Sequence, residues 1–122
     1  MAIKLRDEMF PEVLSGKKTA TLRKGIRNYH LGIAALYGKD NFAFIAITKI
    51  TYTKLQHITD QDAQTEGYNS RKELVDVMKN IYPDITESSE VTQVHFGDVF
   101  PLESVLTGSG RRSAHTDPAT IY

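Results

Sequence analysis

The stretch Gly16-Lys17-Lys18-Thr19-Ala20-Thr21-Leu22-Arg23 alternates polar and apolar side chains from Thr19 onward, and it carries three cations, Lys17, Lys18 and Arg23, together with the hydroxyls of Thr19 and Thr21. Side chains in a strand change face with every residue, so Thr19, Thr21 and Arg23 fall on one face and Ala20 and Leu22 on the other. One face can join a core while the other lines a site. Lys18 is three positions from Thr21 and, in an unbroken strand, points the opposite way. For the two to cooperate, Lys18 must lie in a turn before the strand, or a bulge must re-aim it. Gly16 makes such a turn feasible, since it lacks the Cβ that penalises left-handed backbone.

Before this motif, Ile3 to Leu5 reads as a short strand and Asp7 to Leu14 as a short helix closed by Ser15-Gly16, with Pro11 limiting its length. After it, Lys24 to His30 is polar and aperiodic, a loop able to close over the motif. Ile33 to Tyr37 is a strand, Gly38-Lys39-Asp40-Asn41 supplies turn chemistry, and Phe42 to Thr53 is the returning strand of a hairpin. That strand is apolar on both faces at first and then alternates, so it begins centrally and ends nearer solvent.

Two capped helices follow. Thr59 with Asp62, and Ser70 with Glu73, have capping-box spacing. The first helix ends at Glu66-Gly67. In the second, Leu74, Val77, Met78 and Ile81 recur at helical spacing and predict a core-facing stripe ended by Tyr82-Pro83. Val91 to Val99 is a final strand with Val94 and Phe96 on one face and Gln93 and His95 on the other. Residues 1–100 therefore read as one α+β domain, and 101–122 as a C-terminal extension, loosely ordered or packing on the domain, because Thr107 to Tyr122 is rich in Gly, Ser, Thr, Arg and Pro.

The chain has 122 residues, enough for one real core, and a formal charge of zero. No global positive field gathers long nucleic acid, so any such partner must be small or held locally. Cysteine is absent, which excludes disulfides and thiol nucleophiles and fits a cytoplasmic location. The apolar run Phe42 to Ile47 is far below the roughly 18 to 20 residues that span a bilayer, and the N-terminus does not read as a signal peptide. His30, His57, His95 and His115 are far apart with no metal-binding spacing, so neither a metal nor a cofactor is expected. Gly108-Ser109-Gly110 lacks the strand, third glycine and helix of a phosphate loop.

The cations Lys17, Lys18, Arg23, Lys24 and Arg27 are concentrated in a chain that is neutral overall. A solvated edge strand would use lysines in this way. Against that, Thr19 and Thr21 share a face with Arg23, and neighbouring cations with partial burial would lower a lysine pKa enough for Lys18 to act as a base on Thr21.

These residues, in this order, resemble the ASCH domain family, whose signature G-x-K-x-x-x-x-R falls on Gly16, Lys18 and Arg23. The resemblance continues through Leu14-Ser15, Asp60 to Gly67, Lys72-Glu73-Leu74, Ile81-Tyr82-Pro83 and Val94-His95-Phe96, covering about Ile3 to Val99. It implies a PUA-like fold, a small mixed β-barrel of about five to six strands with two to three helices and a cleft for nucleosides or RNA. The nearest form is that of the small bacterial N4-acetylcytidine amidohydrolases, G-[RK]-K-T-x-T-x-R, kept here in Lys18, Thr19, Thr21 and Arg23. Gly32-Ile33 stands where family members commonly have Gly-Asp.

What the resemblance implies is a catalytic set of Lys18 as base, Thr21 as nucleophile and Glu66 as proton donor. Arg23, Thr19 and Lys17 are the expected substrate-binding residues of the motif, and Tyr29 and Tyr68 are candidates to stack on a base, although each tyrosine can equally be a packing residue. The expected partner is a small nucleoside, with RNA as the alternative: the first reading is an amidohydrolase, the second an RNA- or modified-base-binding module or ribonuclease using the same cationic cleft. Glu66, on the bland reading, is a solvated helix-end glutamate.

Overall fold

The computed structural model describes residues 1–101; the expectation for the C-terminal extension lies, apart from Pro101, outside the described residues. Strands β1 (Ala2–Lys4), β2 (Ala20–Lys24), β3 (Gly32–Tyr37), β4 (Phe42–Lys54) and β5 (Glu90–Pro101) form one sheet in the order β1-β3-β4-β5-β2. Helices α1 (Phe10–Leu14), α2 (Asp60–Thr65) and α3 (Arg71–Ile81) complete an α+β domain. The strand count is five, and the sheet curls into a half-barrel whose two edges are β1 and β2.

The curl has a local cause. Between β4 and β5 the register shifts twice, from Ile45 opposite Val99 to Ile47 opposite Phe96, and then to Lys49 opposite His95. The first step adds a residue on β5 and the second adds one on β4, and such bulges bend strands and increase their twist. The β3–β4 turn is clamped from outside the hairpin: the Asp7 carboxylate accepts from the backbone N–H groups of Lys39 and Asp40 and from Asn41 Nδ2. These bonds hold the Asp7 carboxyl below its usual range.

Two apolar clusters result. Inside the curl, Ile3, Phe10, Leu36, Ile45, Val94 and Phe96 are buried together. On the other face of the β2–β5 end, Leu22, Leu55, Ala63, Leu74, Met78 and Val91 pack beneath α2 and α3. Because the β5 strand is covered on both sides, Val91, Thr92, Gln93 and Val94 are all buried, and the alternation in Val91 to Val99 separates two interiors rather than core from solvent.

The helices begin where their caps predict. Thr59 and Asp62 form the reciprocal pair, each side chain accepting from the other's backbone N–H. Ser70 accepts from the Glu73 N–H, but the Glu73 carboxylate accepts from the Asn69 N–H, so only half of that box forms. The α3 stripe departs from expectation. Leu74 and Met78 reach the core with Val75, whereas Val77 and Ile81 line a cavity, Ile81 at 47% exposure. Among the described residues no helix is long and apolar enough to cross a membrane.

Candidate active site

The segment before β2 is held by neighbours on both sides. Helix α1 ends at Leu14, and Gly16, with a φ of 84°, turns the chain back while its N–H donates to the Val13 carbonyl. The Lys18 N–H donates to the Glu12 carbonyl at 2.9 Å, and the Thr19 N–H to the Thr65 carbonyl at 2.8 Å. Lys18 thus stands ahead of the strand, which runs Ala20–Lys24, and its direction is not bound by the strand's alternation.

From that position the Lys18 side chain reaches the C-terminal end of α2. Its Nζ donates to the Glu66 backbone carbonyl at 2.9 Å and to Glu66 Oε1 at 3.2 Å. The first contact satisfies one of the carbonyls that a helix end leaves open. The other carboxylate oxygen, Oε2, accepts from Gln93 Nε2 at 3.0 Å. Lys18 is 2% exposed, Glu66 1% and Gln93 3%, so this is a buried ion pair with each carboxylate oxygen occupied. Burial pushes the Lys18 ammonium below its ordinary value of 10.5, while the charge and hydrogen bond of Glu66 push it back up. Gly67 makes room for the pair: its φ is 93°, and a Cβ there would come within 3.3 Å of Lys18 Cβ.

Thr21 and Arg23 form the other half. Thr21 is 2% exposed, and its Oγ1 accepts from Arg23 Nη1 at 2.6 Å. The same nitrogen donates to the Leu22 carbonyl at 2.9 Å, and Arg23 Nη2 donates to the Lys4 carbonyl. Arg23 therefore bridges from β2 to β1, across the opening between the two sheet edges. The parity expectation holds here: Thr21 and Arg23 share a face, and they sit opposite Val94 and Thr92 on β5.

Both halves meet at one cavity of about 520 Å³, to which Lys18, Thr21, Arg23 and Glu66 all contribute. Tyr29 and Tyr68 line it as well. The Tyr68 ring lies 5.8 Å from Lys18 Nζ, and its hydroxyl accepts from Arg6 Nη2 at 3.3 Å. Burial raises the Tyr68 hydroxyl above its usual range, against the opposing charge of Arg6. Lys17 and Thr19 lie elsewhere. Both are exposed and outside the cavity, Lys17 pairing with Glu12 at 3.7 Å and Thr19 using its backbone to tie β2 to Thr65 and Phe96.

Gln93, which holds the Glu66 carboxylate, and Lys4, Arg6 and Arg27, which line the cavity, are polar residues of the site that the motif does not name. Gln93 carried a readable signal, a polar side chain two residues after Val91 and next to Val94. Arg27 belongs to the cation cluster read from the sequence and is held by Thr92, Lys24 and Tyr52, whereas Arg6 carried no signal, because only the placing of β1 at the opening brings it to the cavity. Among the described residues no group of three or more His, Cys, Asp or Glu side chains could hold a metal ion.

A curled five-stranded sheet, two capping helices over one end, and a cavity at the opening between its edge strands define a PUA-like domain. The chain belongs to the ASCH domain family, whose model matches residues 1–100. Its fold is similar to that of an ASCH domain from Lactobacillus crispatus JV V101, with a TM-score of 0.65 at 16% identity, covering 78% of this chain and 76% of that one. The ASCH protein of Zymomonas mobilis matches with a TM-score of 0.62 at 16% identity over 98% of this chain and 90% of its own. A protein of Enterococcus faecalis V583 gives a TM-score of 0.65 at 18% identity, covering 88% and 77%. At these identities the likeness establishes the shared fold. No protein of curated function matches the chain.

Proposed function

We propose that the protein is an amidohydrolase that removes the acetyl group from N4-acetylcytidine or a related acylated cytosine nucleoside. The observation that supports this reading most is the buried Lys18–Glu66 pair opening on the cavity that Thr21 also lines. Burial disfavours the Lys18 ammonium, and in the proposed reacting form its proton has passed to the hydrogen-bonded Glu66 carboxylate, leaving an amine and a carboxylic acid. Those are the forms that amide cleavage needs. Arg23 donates to Thr21 Oγ1, which leaves the threonine's own proton available to a base.

In the proposed reaction the Lys18 amine takes the Thr21 proton as Oγ1 attacks the acetyl carbonyl. The Arg23 guanidinium, already at that oxygen, would steady the tetrahedral oxyanion. Glu66 gives its proton to the exocyclic nitrogen as the C–N bond breaks, and cytidine leaves. Lys18 is now an ammonium and Glu66 a carboxylate. Water then attacks the acetyl ester on Thr21, giving a proton to Glu66, while departing Thr21 Oγ1 recovers one from Lys18. Acetic acid is released and the starting forms return. Gln93 would hold the carboxylate in place, and Tyr68 or Tyr29 would stack on the base.

Incubation of the purified protein with N4-acetylcytidine should release cytidine, and Thr21→Ala should abolish that release. No turnover by the wild type, or turnover unchanged in Thr21→Ala, overturns this mechanism. Binding of cytidine-containing ligands without turnover would instead favour the binding-module reading of the same cleft, which the cations around it also support.

A further inference from the structure

The cavity is more cationic than a neutral nucleoside requires. Lys4, Arg6, Lys18, Arg23 and Arg27 line it against one acid, Glu66, among the described residues, in a chain whose formal charge is zero. Lys18 is matched by Glu66, and Arg23 is occupied by Thr21 and two backbone carbonyls. Among the described residues the Arg6 guanidinium meets only the exposed Glu8 carboxylate, at 3.5 Å, besides the Tyr68 hydroxyl. Solvent weakens such a pair.

Arg27 is arranged differently. Its backbone N–H donates to Thr92 Oγ1 at 2.9 Å, its carbonyl accepts from the Tyr52 hydroxyl at 3.0 Å, and its Nε donates to the Lys24 carbonyl at 2.8 Å. Thr92 Oγ1 is itself oriented by donating to the Gly25 carbonyl at 2.7 Å. The residue is fixed from β4, β5 and the end of β2, yet its two terminal guanidinium nitrogens have no partner among the described residues. A guanidinium pinned at Nε and open at both Nη atoms presents the fork that matches two oxygens of a phosphate.

We propose that Arg27, with Arg6, forms a phosphate subsite of this cavity, so that it binds a phosphate ester of a nucleoside in preference to the neutral nucleoside. The choice of phosphate over another oxyanion rests on the nucleoside reading above. A nucleotide monoester and a diester within RNA supply the same chemistry. The subsite is distinct in role from the catalytic set: it positions the ligand by its phosphate while the base enters toward Tyr68.

The test is a binding measurement on the full chain, so it does not depend on turnover. Calorimetric titration with cytidine, cytidine 5′-monophosphate and a trinucleotide with a central cytidine should show the phosphate-bearing ligands binding at least about tenfold tighter than cytidine, as charge-assisted bonds to phosphate imply. That gap should narrow with added salt. Arg27→Gln and, independently, Arg6→Gln should close most of it, with binding of cytidine in each variant reporting that the cavity is intact. A monophosphate that binds best assigns the site to a monoester, and a trinucleotide that binds best assigns it to RNA; both support a phosphate subsite. Equal binding of all three, or a gap unchanged in both variants, overturns it. Hydrolysis of N4-acetylcytidine alongside equal binding would leave the amidohydrolase reading in place, and a phosphate-dependent gap without hydrolysis would leave only the subsite.

Discussion

Lys18 Nζ lies 3.2 Å from Glu66 Oε1 and 2.9 Å from the Glu66 backbone carbonyl, with both side chains almost wholly removed from solvent. The pair ties the segment before β2 to the end of α2, so one contact serves both the fold and the proposed chemistry. Taking two charges out of water is costly, and their attraction recovers that cost only while both are present.

The losses from removing each partner should therefore not add. Lys18→Met strands a buried carboxylate with only Gln93 to donate to it, and breaking a buried pair in this way costs about 3 to 5 kcal/mol. In Lys18→Met/Glu66→Gln the charge is gone, and the loss should fall short of the sum of the single losses by more than about 1 kcal/mol. Urea unfolding of the three variants and the wild type checks this. Additive losses would mean that the two groups do not stabilise each other.

The displaced pKa of Lys18 gives a second expectation. Its folded value lies below the 10.5 of an ordinary lysine, chiefly through burial. The unfolded chain then holds this proton more tightly than the folded one, so Lys18 makes stability rise with pH between its lowered value and 10.5. The contribution is full above 10.5 and lost as pH falls through the folded value. Glu66 opposes the shift, so Glu66→Gln should move the Lys18 midpoint further down. Titration of a labelled lysine Nζ by NMR reads the midpoint directly. A midpoint at or above that of exposed lysines, or one that rises in Glu66→Gln, contradicts the assignment.

The sequence disclosed the fold well because its signals are local. Alternation in Thr19 to Arg23, the Thr59 and Ser70 caps and the turn at Gly38 to Asn41 depend on residues a few positions apart, and strand β2 begins one residue later than its alternation alone suggested. Lys18, Thr21, Arg23 and Glu66 reach one cavity, and Lys18 stands in the turn ahead of β2 with its Nζ on Glu66. What could not be read was three-dimensional. Lys17 and Thr19 carry suitable chemistry, but their side chains are exposed, and Gln93 becomes relevant only because β5 is covered on both faces. Val77 and Ile81 follow the core period of α3 but border the opening between β1 and β2, a gap that no helical pattern foretells.

Gly67 tests how closely the fold supports the pair. A side chain there meets both a φ of 93° and a stem, Lys18 Cβ, 3.3 Å away. Gly67→Ala should cost at least about 1 kcal/mol from backbone strain alone. It should also displace Lys18, lowering turnover in the proposed reaction. Thermal unfolding and hydrolysis assayed together separate the two effects, and full activity in a merely less stable protein would show that Lys18 tolerates the shift.

Arg23 carries the last expectation, because its guanidinium engages Thr21 Oγ1, the Leu22 carbonyl and the Lys4 carbonyl at once. Lysine keeps the charge but has neither the planar fork nor the reach to serve two strands together. If Arg23 steadies the developing oxyanion, Arg23→Lys should lower kcat by about 100-fold or more with little change in KM, the pattern of a donor that acts in the transition state. The lost bridge between β2 and β1 should lower stability by about 1 kcal/mol, near the net value of one or two hydrogen bonds. A raised KM with kcat intact would instead make Arg23 a group that binds substrate and transition state alike, and would leave the oxyanion to backbone donors.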